Sequence, residues 1–198
     1  MTSILKADDI QDSSGNNIIN EAGDTITIGA SGDTITIPSG ATLSNLGTAS
    51  GFNTPAFEAD VSATQNLTND TNTKAECDTE VFDTDNCYDD STNYRFTPNK
   101  AGKYLVYGAV RGGPDSGLTA CDKVTALVYK NGSVYDNKNW RIDFRNNQGS
   151  AATASFSAVI EMNGTSDYLE LYGNIDVTSG TAIFYSNTTF FGAYRIGA

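Results

Sequence analysis

From about residue 55 onward, apolar and polar residues alternate in short runs that are separated by turn-forming residues. Alternation with a period of two predicts β-strands with one buried face. Because no window keeps an apolar period near 3.6 residues, no substantial helix is predicted. Asn131-Gly132 and Asn163-Gly164 predict tight hairpin turns, since Asn and Gly tolerate the positive φ that such turns need. The ten predicted strands centre on Phe57–Val61, Glu80–Phe82, Asn93–Thr97, Lys103–Val110, Lys123–Tyr129, Val134–Phe144, Ala152–Ile160, Tyr168–Tyr172, Thr181–Tyr185 and Thr189–Ile196.

The first fifty residues follow a different pattern, a short repeat. Gly23-Asp24-Thr25-Ile26-Thr27-Ile28 recurs nine residues later as Gly32-Asp33-Thr34-Ile35-Thr36-Ile37, and Gly40-Ala41-Thr42-Leu43 is a weaker third copy. Each copy predicts a short strand closed by a Gly-rich turn, and such a strand needs neighbours to bury its apolar edge. Stacked repeats or two further copies of the chain around a threefold axis would supply them. The alternation of Ile argues against the alternative, a flexible linker.

The aromatic residues divide the chain into two pieces. Every Tyr, Phe and Trp lies after Gly51. Because aromatic side chains supply much of the area buried in a core, the large core is predicted in residues 51–198. Residues 1–50 are predicted to be an anchoring segment and the repeat stalk. A chain of 198 residues is long enough for one domain with such an appendage.

The charge of the chain and the length of its apolar runs argue against two classes of partner, nucleic acids and membranes. Twelve Lys and Arg against 24 Asp and Glu give a formal net charge of −12, and the basic residues are scattered. Such a surface repels a phosphate backbone, so nucleic-acid binding is not expected. No apolar run reaches the length of a bilayer span, and the N-terminus lacks the basic-then-apolar order of a signal peptide. Membrane insertion is therefore not expected either.

Candidate chemistry is sparse. The sequence has no His, no phosphate-binding Gly loop and no cofactor fingerprint, so no enzyme is expected and no catalytic residue, metal ligand or cofactor is assigned. Paired carboxylates that hydrolyse a polysaccharide stay an alternative. The acidic residues Asp83, Asp85, Asp89 and Asp90 would suit calcium, which takes several oxygen ligands. Their spacing fits no fixed ligand loop, and a solvated loop is the favoured interpretation.

The three cysteines, Cys77, Cys87 and Cys121, cannot all pair within one chain. They are interpreted as small buried or half-buried thiols, although Cys77 and Cys87 share a polar loop and would bridge if oxidised. Most aromatic residues are expected to be structural. Trp140 is selected as the aromatic residue for a ligand contact, on the expectation that functional aromatics lie on loops.

One stretch of the chain resembles a known family signature. Tyr88-Asp89 is followed by Phe96 and Pro98, two residues apart, and then by Gly102-x-Tyr104. This spacing is similar to that of the jelly-roll family of complement component 1q and tumour necrosis factor. The resemblance covers residues 55–198. Within it, three later segments match strands of that family: Leu127–Gly132, Ser155–Ile160 and Phe190–Tyr194. It implies an all-β, ten-stranded jelly-roll head that forms a homotrimer.

The opening of the chain resembles a second group of proteins. Apolar pairs set in polar sequence, Ile4-Leu5 and Ile18-Ile19, precede the Gly-Asp-Thr-Ile repeat. This arrangement resembles the start of short fibre and spike proteins of tailed bacteriophages. It implies that residues 1–50 dock onto another virion protein.

Together these resemblances imply a trimeric fibre or spike of a bacteriophage virion. Residues 1–50 would anchor the chain, and the head, residues 51–198, would attach to a glycan or protein on the host surface. Three heads on one stalk raise avidity without strong single contacts. A capsid fibre or decoration protein is the nearest alternative, and a secreted recognition ligand of the complement and necrosis-factor type is another.

Overall fold

The computed structural model describes residues 9–11, 13–15, 17–22, 25–28, 32–42, 53–135, 140–144 and 147–197. The chain divides into two units, Met1–Ala49 and Ser50–Ala198. The described residues form β-strands, turns and loops without any helix, as the alternation predicts. Within them, no helix is long and apolar enough to cross a membrane.

The N-terminal unit contains a small antiparallel sheet. Its strands are β1 (Asp9–Gln11), β2 (Asn17–Ala22) and β3 (Thr25–Ile28), in the order β1-β2-β3. The first copy of the repeat thus supplies β3, as predicted. The second copy, residues 32–37, belongs to no strand, so the prediction of a strand there is wrong for the single chain. A strand forms only beside a partner, and no strand among the described residues pairs with this copy. Residues 1–8 and Leu43 lie outside the described residues.

The C-terminal unit contains the remaining strands. They are β4 (Ala56–Asp60), β5 (Gln65–Asn66), β6 (Thr73–Lys74), β7 (Thr79–Asp83), β8 (Tyr88–Asp89), β9 (Arg95–Phe96), β10 (Ala101–Pro114), β11 (Cys121–Lys130), β12 (Ser133–Val134), β13 (Trp140–Asp143), β14 (Ala152–Asn163), β15 (Leu169–Val177), β16 (Ala182–Phe184) and β17 (Phe190–Gly197).

These strands form two antiparallel sheets that pack face to face. Sheet 1 contains β5-β16-β10-β17-β4-β7 with β14 on β10, and sheet 2 contains β12-β11-β15-β9-β8 with β13 on β11 and β6 on β15. Eight of these strands form the jelly roll, in the order β4-β17-β10-β14 in sheet 1 and β9-β15-β11-β13 in sheet 2. In chain order these eight strands alternate between the sheets, except that β11 and β13 both lie in sheet 2, which is the double Greek key of a jelly roll.

The ten predicted strands are confirmed, although most of their bounds differ. β10, β14 and β15 extend further than predicted, β9 is shorter, and the range Val134–Phe144 overlaps two strands, β12 and β13. The three strands that were not predicted, β5, β6 and β8, have two residues each. Alternation cannot reveal a strand of two residues, because its pairing depends only on its position beside a longer strand.

One of the two hairpin predictions is confirmed and one is wrong. Asn131 and Gly132 have φ of 54° and 77° and join β11 to β12. Asn163-Gly164 instead precedes a crossing from sheet 1 to sheet 2. There the Asn163 side-chain oxygen accepts hydrogen bonds from the backbone amides of Thr165, Ser166 and Asp167, each 3.0 Å long. A side chain that caps a wider loop can replace the tight turn that Asn-Gly otherwise favours.

The family-like signature builds the centre of the core. Phe57 stacks between Tyr88 and Phe96, with both pairs of ring centroids 4.5 Å apart. Tyr104 meets Phe96 edge-on at 5.7 Å and donates a hydrogen bond from its hydroxyl to the Lys100 carbonyl, 2.8 Å away. Burial raises the Tyr104 pKa to about 12, so the hydroxyl stays protonated as that donor. The signature residues therefore hold the two sheets together.

The glycine of the signature has a separate role. Gly102 has φ of 145°, and a Cβ there would lie 2.2 Å from the Gly197 carbonyl oxygen. The pairing of β10 with β17 shifts its register at the next residue, Lys103. Only glycine allows this close approach of two backbones.

Candidate interaction surfaces

The outer face of sheet 1 carries a row of large apolar side chains. Along β10, Tyr104 and Val106 point into the core, so Leu105 and Tyr107 lie on the opposite face. The register places Leu105 between Tyr194 of β17 and Val159 of β14. We call the five residues that share this face the sheet 1 patch: Leu105, Tyr107, Val159, Phe190 and Tyr194.

Tyr107 is the centre of the sheet 1 patch. Its ring centroid lies 6.4 Å from that of Phe190 and 6.3 Å from that of Tyr194. Its hydroxyl donates a hydrogen bond to Glu58 Oε2 at 2.8 Å. Burial, and then the Glu58 carboxylate, raise the pKa of Tyr107, so the phenol stays protonated. The bond fixes the ring in one orientation, which gives the surface a defined shape.

Between the sheet 1 patch and the edge of sheet 1 lie an acidic residue on β4 and two exposed apolar residues on β7. Asp60 lies two residues after Glu58 on β4, and burial together with the Glu58 charge raises the Asp60 pKa. On the edge strand β7, Val81 and Phe82 are 55% and 41% exposed. Contiguous exposed apolar residues on a sheet are typical of a surface that binds another protein.

The outer face of sheet 2 is polar and aromatic instead. Tyr129 and Tyr172 stack with ring centroids 3.8 Å apart and an interplanar angle of 18°. Beside them, Glu170 is only 5% exposed and pairs with Lys74 Nζ at 2.5 Å. The Lys74 ammonium also lies 6.0 Å from the centre of the Tyr172 ring. Rigid tyrosines beside paired charges can bind a polar ligand through hydrogen bonds and ring contacts.

The acidic loop uses its carboxylates to hold its own backbone. Asp83 accepts hydrogen bonds from the amides of Asp85 and Tyr88, and Asp89 accepts them from the amides of Ser91 and Thr92. Across the described ranges, no group of three or more His, Cys, Asp or Glu side chains is arranged to hold a metal ion. Hydrogen bonds from backbone amides to Asp side chains stabilise turns, and this is what these carboxylates do in the acidic loop.

Trp140 and the cysteines belong to the structure of the sandwich. Trp140 is the first residue of β13, within the predicted strand Val134–Phe144, and packs half-buried on Phe156, at 5.1 Å between ring centroids. It is therefore not the loop aromatic that its selection for a ligand contact assumed. The strand forms because Trp140 pairs with Ala126 of β11. All three cysteines are buried free thiols, as interpreted from the sequence. Burial raises the pKa of the Cys121 thiol, which keeps it protonated and unreactive.

The sheet 1 patch was missed by the sequence analysis, although a signal for it exists. Residues Tyr104 to Tyr107 are all apolar or aromatic, which breaks the alternation expected for a strand with one solvated face. Continuous apolar runs are typical of strands that are covered on both faces. The sheet 2 face left a similar signal on β11, where residues Ala126 to Tyr129 are all apolar or aromatic, but its other residues come from loops and strands far apart in the sequence.

No protein-family model and no curated protein matches the chain. Solved structures that are similar to it include two of murine APRIL and one of a zebrafish complement 1qA domain. Crystal structures of murine APRIL at pH 8.5 and pH 8.0 each have 10% sequence identity, a TM-score of 0.49, and coverage of 71% of this chain and 98% of the other. The globular domain of the zebrafish complement 1qA protein has 11% identity, a TM-score of 0.49, and coverage of 72% and 97%.

Proposed function

We propose that the protein is a homotrimeric fibre or spike of a bacteriophage virion, whose jelly-roll head attaches to the host surface. In this proposal the sheet 1 patch is buried between the three copies, and the sheet 2 face stays free for attachment. The observation that carries the proposal is the sheet 1 patch, an ordered apolar row on a face that a monomer would leave in water.

Burial of this patch in a homotrimer accounts for its composition. Each apolar side chain that leaves water contributes about 25 cal/mol per Å² of buried area. Tyrosine and phenylalanine are enriched in such interfaces, where large rigid rings lose little conformational entropy. A closed ring of identical copies covers the patch on every copy, whereas an open assembly leaves one patch exposed at its end. The resemblance to a trimeric family selects three copies.

The proposed place in a virion rests on the N-terminal unit. Ile26, Ile28, Ile35 and Ile37 are between 49% and 67% exposed, so each of these four side chains has about half or more of its surface in water. Two other copies of the repeat and a virion protein would cover them. The resemblance of residues 1–50 to the openings of phage fibres supports this partner.

Two other functions fit the same fold. A capsid fibre or decoration protein would use the same trimer and anchor, and its surface binding would be incidental. A secreted recognition ligand would use the same head. Attachment is favoured over decoration because the sheet 2 face presents stacked tyrosines and paired charges, which a purely structural surface does not need. It is favoured over a secreted ligand because residues 1–50 resemble the openings of phage fibres.

Native mass spectrometry at micromolar concentration tests the trimer. The full chain is expected as a trimer, and Val159→Asp is expected to dissociate it, because a carboxylate buried between copies would lose its hydration. Val134→Asp is the matched control, since Val134 is 36% exposed and lies on a strand of sheet 2. A folded wild-type monomer, or a trimer that survives Val159→Asp, would contradict the interface.

A competition assay tests attachment. Purified full-length protein in excess should reduce adsorption of whole particles to host cells, since both would occupy the same receptor. Unchanged adsorption at a saturating protein concentration, together with normal infection by particles that lack the protein, would favour the decoration function instead.

A further inference from the structure

A polar pocket of about 300 Å³ opens on the outer face of sheet 2, beside the stacked tyrosines. Its floor is a row across three paired strands, in which Thr125 of β11 lies between Arg141 of β13 and Asn174 of β15. Thr125 is only 6% exposed. We call this cavity the sheet 2 pocket. The residues that line it are Asn72, Lys123, Thr125, Leu127, Val134, Arg141 and Asn174.

A chain of hydrogen bonds orients the two amides of the sheet 2 pocket. Asn174 Nδ2 donates to Asn72 Oδ1 at 3.0 Å, and Asn72 Nδ2 donates to the Tyr129 hydroxyl at 3.1 Å. Asn174 Oδ1 is buried and accepts no hydrogen bond from any described residue. A buried acceptor without a partner costs free energy, and a ligand hydroxyl that meets it after a small shift of the Asn174 side chain would recover that cost.

The two cations at the sheet 2 pocket are already paired. Lys123 contacts Asp70, and Arg141 Nη2 contacts Asp143. The Lys123 hydrogen bond and charge lower the Asp70 pKa, so the Asp70 carboxylate keeps its charge at neutral pH. The lining therefore offers N–H donors without excess positive charge, which favours a neutral ligand over an anion.

The remaining lining is apolar. Leu127 and Val134 contribute aliphatic side chains, and the Tyr129 ring is adjacent through its bond to Asn72. A surface that combines aliphatic groups with several fixed donors and acceptors matches a molecule with C–H faces and hydroxyl edges. A sugar ring has both.

We propose that the sheet 2 pocket binds a neutral sugar unit of a cell-surface glycan, whose hydroxyls accept hydrogen bonds from Lys123 and Arg141 and reach the Asn174 amide when its side chain shifts. This inference rests on the proposed attachment function and names the class of its receptor. It also places the contact on the sheet that the proposed trimer leaves free.

Binding to an array of immobilised oligosaccharides tests the proposal, with neutral glycans and uronic-acid-containing glycans as separate sets. The full-length wild type should bind at least one neutral glycan. Asn174→Ala and Arg141→Gln should each weaken that binding by about tenfold or more, the effect of losing one or two ligand hydrogen bonds. Lys123→Gln should weaken it as well.

Lys130→Gln is the matched control for Lys123→Gln, because both lysines lie on β11 and pair with a carboxylate, Lys130 with Asp167. It should bind the neutral glycan as the wild type does. Native mass spectrometry and thermal unfolding of each variant separate loss of the pocket from loss of the fold. If Asn174→Ala fails to fold, Arg141→Gln gives the same readout from an exposed residue.

Two results would overturn the neutral-sugar site. One is preferential binding of the uronic-acid-containing glycans, and the other is unchanged neutral-glycan binding by all three pocket variants. The adsorption assay distinguishes this failure from failure of the attachment function. If wild type and Asn174→Ala block adsorption equally, attachment stands and the receptor is bound elsewhere, as a protein receptor would be. If wild type does not block adsorption, attachment itself is wrong.

Discussion

Gly192 lies directly beneath the ring of Tyr107, where a Cβ would come within 2.5 Å of the ring carbon Cζ. The two residues face each other across the pairing of β10 with β17. The glycine of the family-like ending Phe190–Tyr194 therefore has a specific task, which is to let the central ring of the sheet 1 patch lie flat on the sheet. The hydrogen bond from Tyr107 to Glu58 depends on the same position.

Gly192→Ala is expected to weaken the trimer more than the fold. The added methyl group must displace the end of the Tyr107 side chain, and this breaks its bond to Glu58 and reshapes the interface. We expect destabilisation of the fold by about 1 kcal/mol, at the lower end for overpacking, because a side-chain end moves more easily than backbone. Native mass spectrometry and chemical denaturation measure the two effects. Tyr107→Phe keeps the ring over Gly192 but loses the bond to Glu58, so it should weaken the trimer less than Gly192→Ala does. A larger effect of Tyr107→Phe would contradict the role given to ring position.

Phe57→Ala is expected to destabilise the head strongly. Phe57 is fully buried and contacts Tyr88, Phe96 and Phe191. Truncation of such a residue costs about 3–5 kcal/mol through lost transfer energy and the cavity that remains. Equilibrium denaturation of the full chain measures it. Leu118→Ala, at a 39% exposed loop residue, should change stability by less than about 0.5 kcal/mol. Equal losses for both variants would contradict the central position of Phe57.

Asp89→Ala is expected to lower stability at neutral pH and to have no effect in strong acid. The hydrogen bonds from Asn93, Thr92 and Ser91 lower the pKa of Asp89 in the folded protein. A carboxyl group with a lowered folded pKa stabilises above its unfolded pKa of about 3.9, and this contribution disappears as the pH falls through the folded pKa. The loop is solvated, so we expect a loss of about 1 kcal/mol at pH 7, or a decrease in Tm of about 2–4 °C.

Thermal unfolding of wild type and Asp89→Ala between pH 7 and pH 2 measures this dependence. The two melting curves should converge as the pH falls below 4. Asp143→Ala serves as a comparison at an exposed carboxylate outside the acidic loop. A difference between wild type and Asp89→Ala that stays constant down to pH 2 would show that Asp89 acts through packing rather than through its charge.

A truncated protein of residues 51–198 is expected to fold and to form trimers without the N-terminal unit. Every buried aromatic residue and the whole sheet 1 patch lie within it. It should lose incorporation into particles, because residues 1–50 are the proposed anchor. Circular dichroism, native mass spectrometry and particle incorporation measure the three outcomes. Incorporation equal to that of the full chain would refute the anchor.

The sequence by itself determined the class of fold and most of its strands. Alternation of period two depends only on neighbouring residues, so Lys103–Val110 and Ala152–Ile160 can be identified as strands without knowing which strands they pair with. The turn at Asn131-Gly132 can be identified for the same reason, since it needs only the conformational freedom of two residues. The spacing from Tyr88 to Tyr104 indicated the jelly roll.

Only the tertiary structure decided which strands pair and which residues meet. Asn163-Gly164 has the same local preference as Asn131-Gly132, yet the crossing between sheets and the Asn163 side-chain bonds replaced the tight turn. The row of Arg141, Thr125 and Asn174 joins three strands, and its members follow no local pattern. Pairing register depends on contacts between residues far apart in the chain, whose energies no short window of sequence contains.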